Sequence, residues 1–151
     1  RHGSNRSPIW RHGGITHGPR SDKNFLRTVS KKMKTKALYT ILSRKYGEGE
    51  VLFIDSAALS ENKTKAAVAA LKTLSKVEGF NYIFSKKKNA TVIALAEKNK
   101  ALENAFANLG NVEVIEARNL SPLMLLQYKY LILENPDVSL KSLPKLAKEK
   151  K

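Results

Sequence analysis

Four short runs rich in β-branched and aliphatic residues punctuate the chain: VLFID (Val51 to Asp55), TVIALA (Thr91 to Ala96), VEVI (Val112 to Ile115) and YLIL (Tyr130 to Leu133). Stretches with helical apolar spacing separate them, and that alternation constrains the fold more than any other feature. A run that is apolar at successive positions suits a strand buried on both faces. Strands with helices between them pair in parallel through right-handed crossovers. The pattern therefore predicts an α/β three-layer domain with a mostly parallel sheet of about four strands.

The intervening segments read as helices. Met33, Ala37, Leu38 or Tyr39, Ile41 and Leu42 recur at three- and four-residue intervals up to Gly47 and Gly49, with Lys31, Lys32, Lys34, Lys36, Arg44 and Lys45 on the other face. Ser60 or Asn62 can cap a helix that carries Ala66, Ala67, Ala70, Leu71 and Leu74 on one side. A further helix through Leu102, Ala105, Phe106 and Leu109 is ended by Gly110. Ser121 to Gln127 is a short helix with Pro122 in its first turn, and a last helix starts near Asp137 and runs toward a Lys-rich end. Phe80 to Phe84 reads either as an extra short strand or as a turn packed on the sheet edge.

With 151 residues and 42% hydrophobic content, the chain can fill one core, which excludes collagen-like and wholly disordered classes. The absence of cysteine excludes a disulfide framework and thiolate zinc sites. The longest unbroken apolar run, Ala66 to Leu71, has six residues, against the roughly 20 that cross a bilayer as a helix. No membrane partner is expected.

Charge divides the chain. Residues 1–36 hold ten Lys or Arg against one acid, Asp22, whereas residues 37–140 hold thirteen against eleven, and the last eleven residues add five Lys against Glu149. The net charge of +15 therefore sits on an arm and a tail, and it points to a polyanionic partner. The boundaries read as an arm over 1–29, an α/β domain over 30–148 and a basic tail over 149–151.

An α/β sheet invites an enzyme reading, because such sheets place active sites beyond the carboxyl ends of their strands. Here the segment after the first of these strands, DSAALSENKTK, contains no glycine, so neither a dinucleotide fingerprint nor a phosphate-binding loop is present. Gly13 and Gly14 precede every strand and open no helix. Asp55 is the best single candidate for a catalytic or magnesium-binding carboxylate, but it stands alone in sequence, where a turn-forming role explains it. His2, His12 and His17 lie in a glycine loop without acid or thiol beside them, which favours contacts with RNA over metal binding. No cofactor and no metal are expected.

The arm, RHGSNRSPIWRHGGITHGPRSD, has a composition that matches a mechanism. Arg1, Arg6, Arg11 and Arg20 recur among glycines that let backbone approach phosphate, while Trp10 and the histidines offer flat faces for unpaired bases. Gly and Pro at this density predict an extended loop without a core of its own, and Gly13, Gly14 and Pro19 oppose the amphipathic helix of a transit peptide. A solvated tail has no use for an indole, whereas an arm ordered in a nucleic-acid groove does.

These arm residues closely resemble the downstream limb of the long internal loop of the ribosomal large-subunit protein L-four family, especially its bacterial members. The matching elements are Gly3-Ser4, Arg6-Ser7-Pro8, Trp10-Arg11, Gly13-Gly14 and Gly18-Pro19. Ser30-Lys31-Lys32-Met33, Lys63-Thr64-Lys65, Asn111-Val112-Glu113-Val114 and Leu125-Leu126 followed by Tyr130-Leu131 fall in the family's order, so the resemblance covers nearly the whole chain. It implies a Rossmann-like α/β domain on the outside of the large subunit and a loop threading through 23S-type ribosomal RNA to the peptide exit tunnel, beside the L-twenty-two protein.

Carried onto this chain, the RNA contacts are Arg1, His2, Ser4, Arg6, Trp10, Arg11, His12, Gly13, Gly14, His17 and Arg20, continued at the loop base by Lys23, Arg27, Lys31, Lys32, Lys34 and Lys36. His12 stands where the family usually has a small residue, and Phe80 to Asn89 is an insertion. The family's first strand, first helix and upstream loop limb are expected before Arg1. The resemblance implies a structural, non-catalytic ribosomal RNA-binding protein that supports subunit assembly, in the cytoplasm or in an organellar ribosome. An α/β RNA-modifying enzyme with a basic substrate arm is the alternative, and a second strand-end carboxylate near Asp55 in space would favour it. A free regulatory RNA-binding module is a third reading, which differs only in where the protein is found.

Overall fold

The four expected strands form one parallel sheet in the order β1-β4-β2-β3, in a computed structural model that describes residues 3–14, 18–59 and 61–144. The strands are β1 (Val51–Ile54), β2 (Thr91–Leu95), β3 (Val112–Glu116) and β4 (Tyr130–Glu134). The last strand in sequence lies near the centre, with Leu131 opposite Val51 on one side and Val92 on the other.

The two central strands are buried along nearly their whole length, and their period-2 alternation builds two separate cores. On one face, Ile93, Leu95, Tyr130 and Ile132 meet Ala67 and Leu71 of α2 (Thr64–Leu74), Ile83 of α3 (Tyr82–Ser85), and Leu102 and Phe106 of α4 (Lys100–Phe106). On the other face, Val92, Ala94, Leu131 and Leu133 meet Leu38 of α1 (Lys31–Gly47), Leu125 of α5 (Pro122–Gln127) and Leu143, just past α6 (Pro136–Ser142). Helices on both faces of a parallel sheet make the three layers that continuous apolar strands require. Full burial of each such aliphatic side chain contributes about 1.5–3 kcal/mol.

Local chemistry explains the helix starts. Ser30 accepts from the Met33 N–H at 3.3 Å, Ser121 caps α5 in the same way, and Asn99 accepts from the N–H groups of Ala101 and Leu102. At the other end of α1, Gly49 turns the chain into β1 with φ +69, which favours glycine.

Several expectations need correction. Asn62 does not cap α2: the cap position is Lys63, in extended conformation and without a side-chain bond, so Asn62 lies one residue too early. Gly110 does not end α4, which stops at Phe106. Phe80 to Phe84 is no strand; a helical turn from Tyr82 lets Phe80 and Ile83, three apart, bury together, and the Phe80 ring lies 5.1 Å from that of Tyr130. Met33 and Ala37 are exposed, because the buried stripe of α1 passes through Leu38 and Lys45. Lys45, expected on the solvent face, falls seven residues after Leu38 and so shares its side of the helix. Its ammonium is held by Glu50 at 2.9 Å and donates to the Lys129 carbonyl at 2.5 Å. Ser60 and the tail from residue 145 lie outside the described residues.

Candidate nucleic-acid interface

The arm is built from local hydrogen bonds rather than from a core. A single helical turn, Pro8–Trp10, is closed by the N–H groups of Arg11 and Gly13, which both donate to the Pro8 carbonyl at 3.0 and 2.9 Å. His12, Gly13 and Gly14 follow with φ of 64, 88 and 141. The φ of Gly14 favours glycine, and a Cβ there would lie 3.2 Å from the Pro8 Cβ, a tight contact that would make Pro8 shift by a few tenths of an ångström. The arm is thus a loop without a core, extended over residues 18–30 and drawn into one tight turn at residues 4–13. Arg1, His2 and His17 lie outside the described residues.

This turn carries an exposed surface of one kind. Ser4, Arg6, Trp10, Arg11, His12 and Arg20 are all exposed, and the Trp10 indole keeps 64% of its surface in solvent. Arg6, Arg11, Arg20, Lys23 and Arg27 meet no carboxylate among the described residues. Guanidinium groups without acidic partners beside an open indole can contact phosphate and stack on bases together.

At the loop base the same combination continues. Phe25 is 81% exposed with the Lys23 ammonium 5.2 Å from its ring centre, and Leu26, Val29 and Met33 are also exposed. Lys31, Lys32, Lys34 and Lys36 are exposed along the first turns of α1. Phe25 went unnoticed in the sequence because a single aromatic between charged residues is equally compatible with a core position. The fold also brings Arg118, from the turn Ala117–Asn119 after β3, to Lys31 and Lys34. No pattern in the sequence signals that approach, since an Arg two residues after a Glu reads as an ordinary surface pair.

The carboxyl ends of the strands were the place to find an enzyme. Asp55 is exposed there, and the register sets Glu134 beside the preceding residue, Ile54, so the fold does bring a second strand-end carboxylate near it. Glu134 is committed to backbone: Oε1 accepts from Ala57 at 2.9 Å and Oε2 from Ala96 at 3.3 Å. It ties together the chain segments that follow β1 and β2, across the crevice where such sheets place ligands. Among the described residues no group of three or more His, Asp or Glu is arranged to hold a metal ion. At the opposite end of the strands the Tyr128 hydroxyl is pushed upward from the usual phenol range, first by burial and then by its hydrogen bond to Glu113 and that carboxylate's charge.

Comparison with known proteins adds a separate observation. The pattern of the ribosomal protein L4/L1 family matches residues 1–141. The large ribosomal subunit protein uL4 of Thermotoga petrophila is 38% identical over 92% of this chain and 62% of its own length. That of Desulforudis audaxviator is 35% identical over 92% of this chain and 61% of its own, and that of Helicobacter hepaticus is 31% identical over 89% and 59%. The chain spans about three-fifths of the length of these relatives.

Proposed function

The chain belongs to the ribosomal protein L4/L1 family, and we propose that it is a structural, non-catalytic component of the large ribosomal subunit that binds 23S-type ribosomal RNA. The arm, with Arg6, Trp10, Arg11, His12 and Arg20, follows the RNA, and Lys23, Arg27 and the first lysines of α1 continue the contact onto the body. The observation that carries this reading is the arm itself: its cations lack acidic partners and its indole is open to solvent, in a segment that the family pattern includes. On this reading the arm reaches toward the peptide exit tunnel near the L-twenty-two protein, and the protein supports subunit assembly in a cytoplasmic ribosome.

Two measurements test it. The chain is expected to co-sediment with large ribosomal subunits and, once enclosed by folded RNA in the assembled particle, to stay there through a high-salt wash; recovery in the free fraction only, before any wash, would overturn the assignment. Binding to a 23S-type ribosomal RNA transcript is expected to weaken steeply with salt, since each phosphate neutralised releases counterions at a log–log slope of roughly 0.7–0.9. A flat salt dependence would remove the electrostatic basis of the proposal.

A further inference from the structure

Cations far apart in the chain converge on one cleft of the body. Lys31 and Lys34 of α1 line it together with Arg118, Thr35 adds a hydroxyl, Leu38, Leu120, Pro122 and Pro144 contribute its apolar lining, and its volume is about 230 Å³. Among the described residues no Asp or Glu lines it. Glu116 pairs with Arg118 from behind, while Lys31 and Lys34 have no acidic partner among the described residues, so the cleft keeps a positive excess that its apolar wall focuses on whatever enters. An anion neutralises that excess.

How Arg118 is held says which anion. Its Nε donates to Glu116 Oε2, and the Glu116 side chain is almost fully buried while that of Arg118 is 68% exposed. The buried acid therefore fixes the guanidinium through Nε alone. Both terminal nitrogens remain without a protein partner among the described residues, and they form the fork that matches the oxygens of a phosphate. Lys31 and Lys34 likewise meet no carboxylate among the described residues. The cleft also has the right address: Lys31 is the first residue of α1, so a strand that follows the arm meets this cleft on reaching the body.

We propose that the cleft seats a backbone phosphate of the same RNA strand, with Arg118 as the forked donor and Lys31 and Lys34 flanking it. The proposal rests on the RNA-binding reading above and adds a contact from the far half of the chain. It extends the recognition surface on the body from α1 to the turn after β3.

The test is filter binding of the full chain to a 23S-type ribosomal RNA transcript over a range of salt. Arg118→Gln and Lys34→Gln are each expected to lower affinity about three- to tenfold at low salt and to reduce the log–log slope by about one. Arg118→Lys keeps the charge and loses the fork, so the slope stays while affinity falls about threefold. Lys76→Gln, an exposed cation away from the cleft, leaves both unchanged. Wild-type affinity and slope in Arg118→Gln, while the Arg6, Arg11 and Arg20 triple alanine variant flattens the slope, overturns the cleft and leaves the arm reading intact. A flat slope in the unmutated chain overturns both. If Arg118→Gln unfolds because Glu116 is stranded, Lys34→Gln decides, and unchanged binding there overturns the proposal. Binding of a labelled hexaglutamate peptide that Arg118→Gln abolishes, with RNA binding intact, assigns the cleft to an acidic protein segment and also overturns it.

Discussion

The arm and the body are held by different physics. In the body, the sheet is sealed by apolar side chains on both faces, and Val92, Leu131 and Ile132 have no measurable exposure. In the arm, the described residues 3–6, 10–14 and 19–30 are all exposed, and the large apolar groups Trp10, Phe25 and Leu26 stand in solvent. The body resembles any balanced α/β domain in charge; the arm concentrates cations that nothing in the described chain neutralises. Exposed aromatics beside unpaired cations add little to the stability of a free protein and suit a segment whose partner supplies the missing contacts. What the difference teaches is that the segment before α1 is held by local hydrogen bonds and leaves its apolar and cationic side chains in solvent, whereas the segments that follow share two buried cores.

The sharpest way to break this comparison is amide exchange on the free protein. Central-strand amides at residues 92–95 are expected to be protected at least about a thousandfold more than those at residues 3–14, because the arm opens without unfolding the core. Comparable protection in both would mean that the arm is part of the folded unit.

Next in size is Leu131→Ala, which removes a fully buried side chain from the centre of the sheet. The body is expected to lose about 2–5 kcal/mol in chemical denaturation, while the fraction that remains folded binds RNA as before. A matching loss of intrinsic RNA affinity would tie the two regions more closely than their structures do.

Trp10→Ala is expected to do the opposite. It should weaken RNA binding by about 1–3 kcal/mol, the range for a base stacked on an aromatic ring, and leave the melting temperature of the free protein unchanged. A lowered melting temperature with intact binding would make Trp10 an anchor on the body.

The smallest effect is expected at the junction. Ser30→Ala removes the cap bond to Met33 N–H, so α1 should lose about 1 kcal/mol, and the first turn, which presents Lys31 and Lys34, should fray. Circular dichroism and RNA affinity measured together check whether that turn must be ordered for binding; full affinity with a frayed turn would assign the contact to the arm alone.

Much of the architecture was legible because it rests on local rules. Runs such as Val92 to Leu95 cannot be placed at a surface, and Ser30, Asn99 and Ser121 announce helix starts through side chains that reach the next turn. The candidate arm residues were legible for a related reason: Gly13 and Gly14, with positive φ, and Trp10 among arginines have no good explanation in a packed core. Where local rules run out, expectation and structure part. Lys45 looked like a surface lysine because charge suggests exposure, but helical periodicity together with Glu50 and the Lys129 carbonyl gave it an interior place. Phe80 and Ile83 were ambiguous because a short apolar segment fits a strand or a helical turn, and only the facing Tyr130 ring selects between them.

By itself, then, the sequence determined the strands, most helices, the three-layer class and the division into a cationic arm and a charge-balanced body, since each follows from periodicity, capping or charge along neighbouring residues. Tertiary structure alone decided the strand order, which depends on how helices of particular lengths cross the sheet and which placed the last strand between β1 and β2. That order set Glu134 across the crevice, where its carboxylate binds the backbone at Ala57 and Ala96. The packing of α1, the turn after β3 and α5 on one face brought Arg118 into one cleft with Lys31 and Lys34. Such contacts join residues from separate segments, and their energies depend on distance in space, to which a one-dimensional pattern of residues is blind.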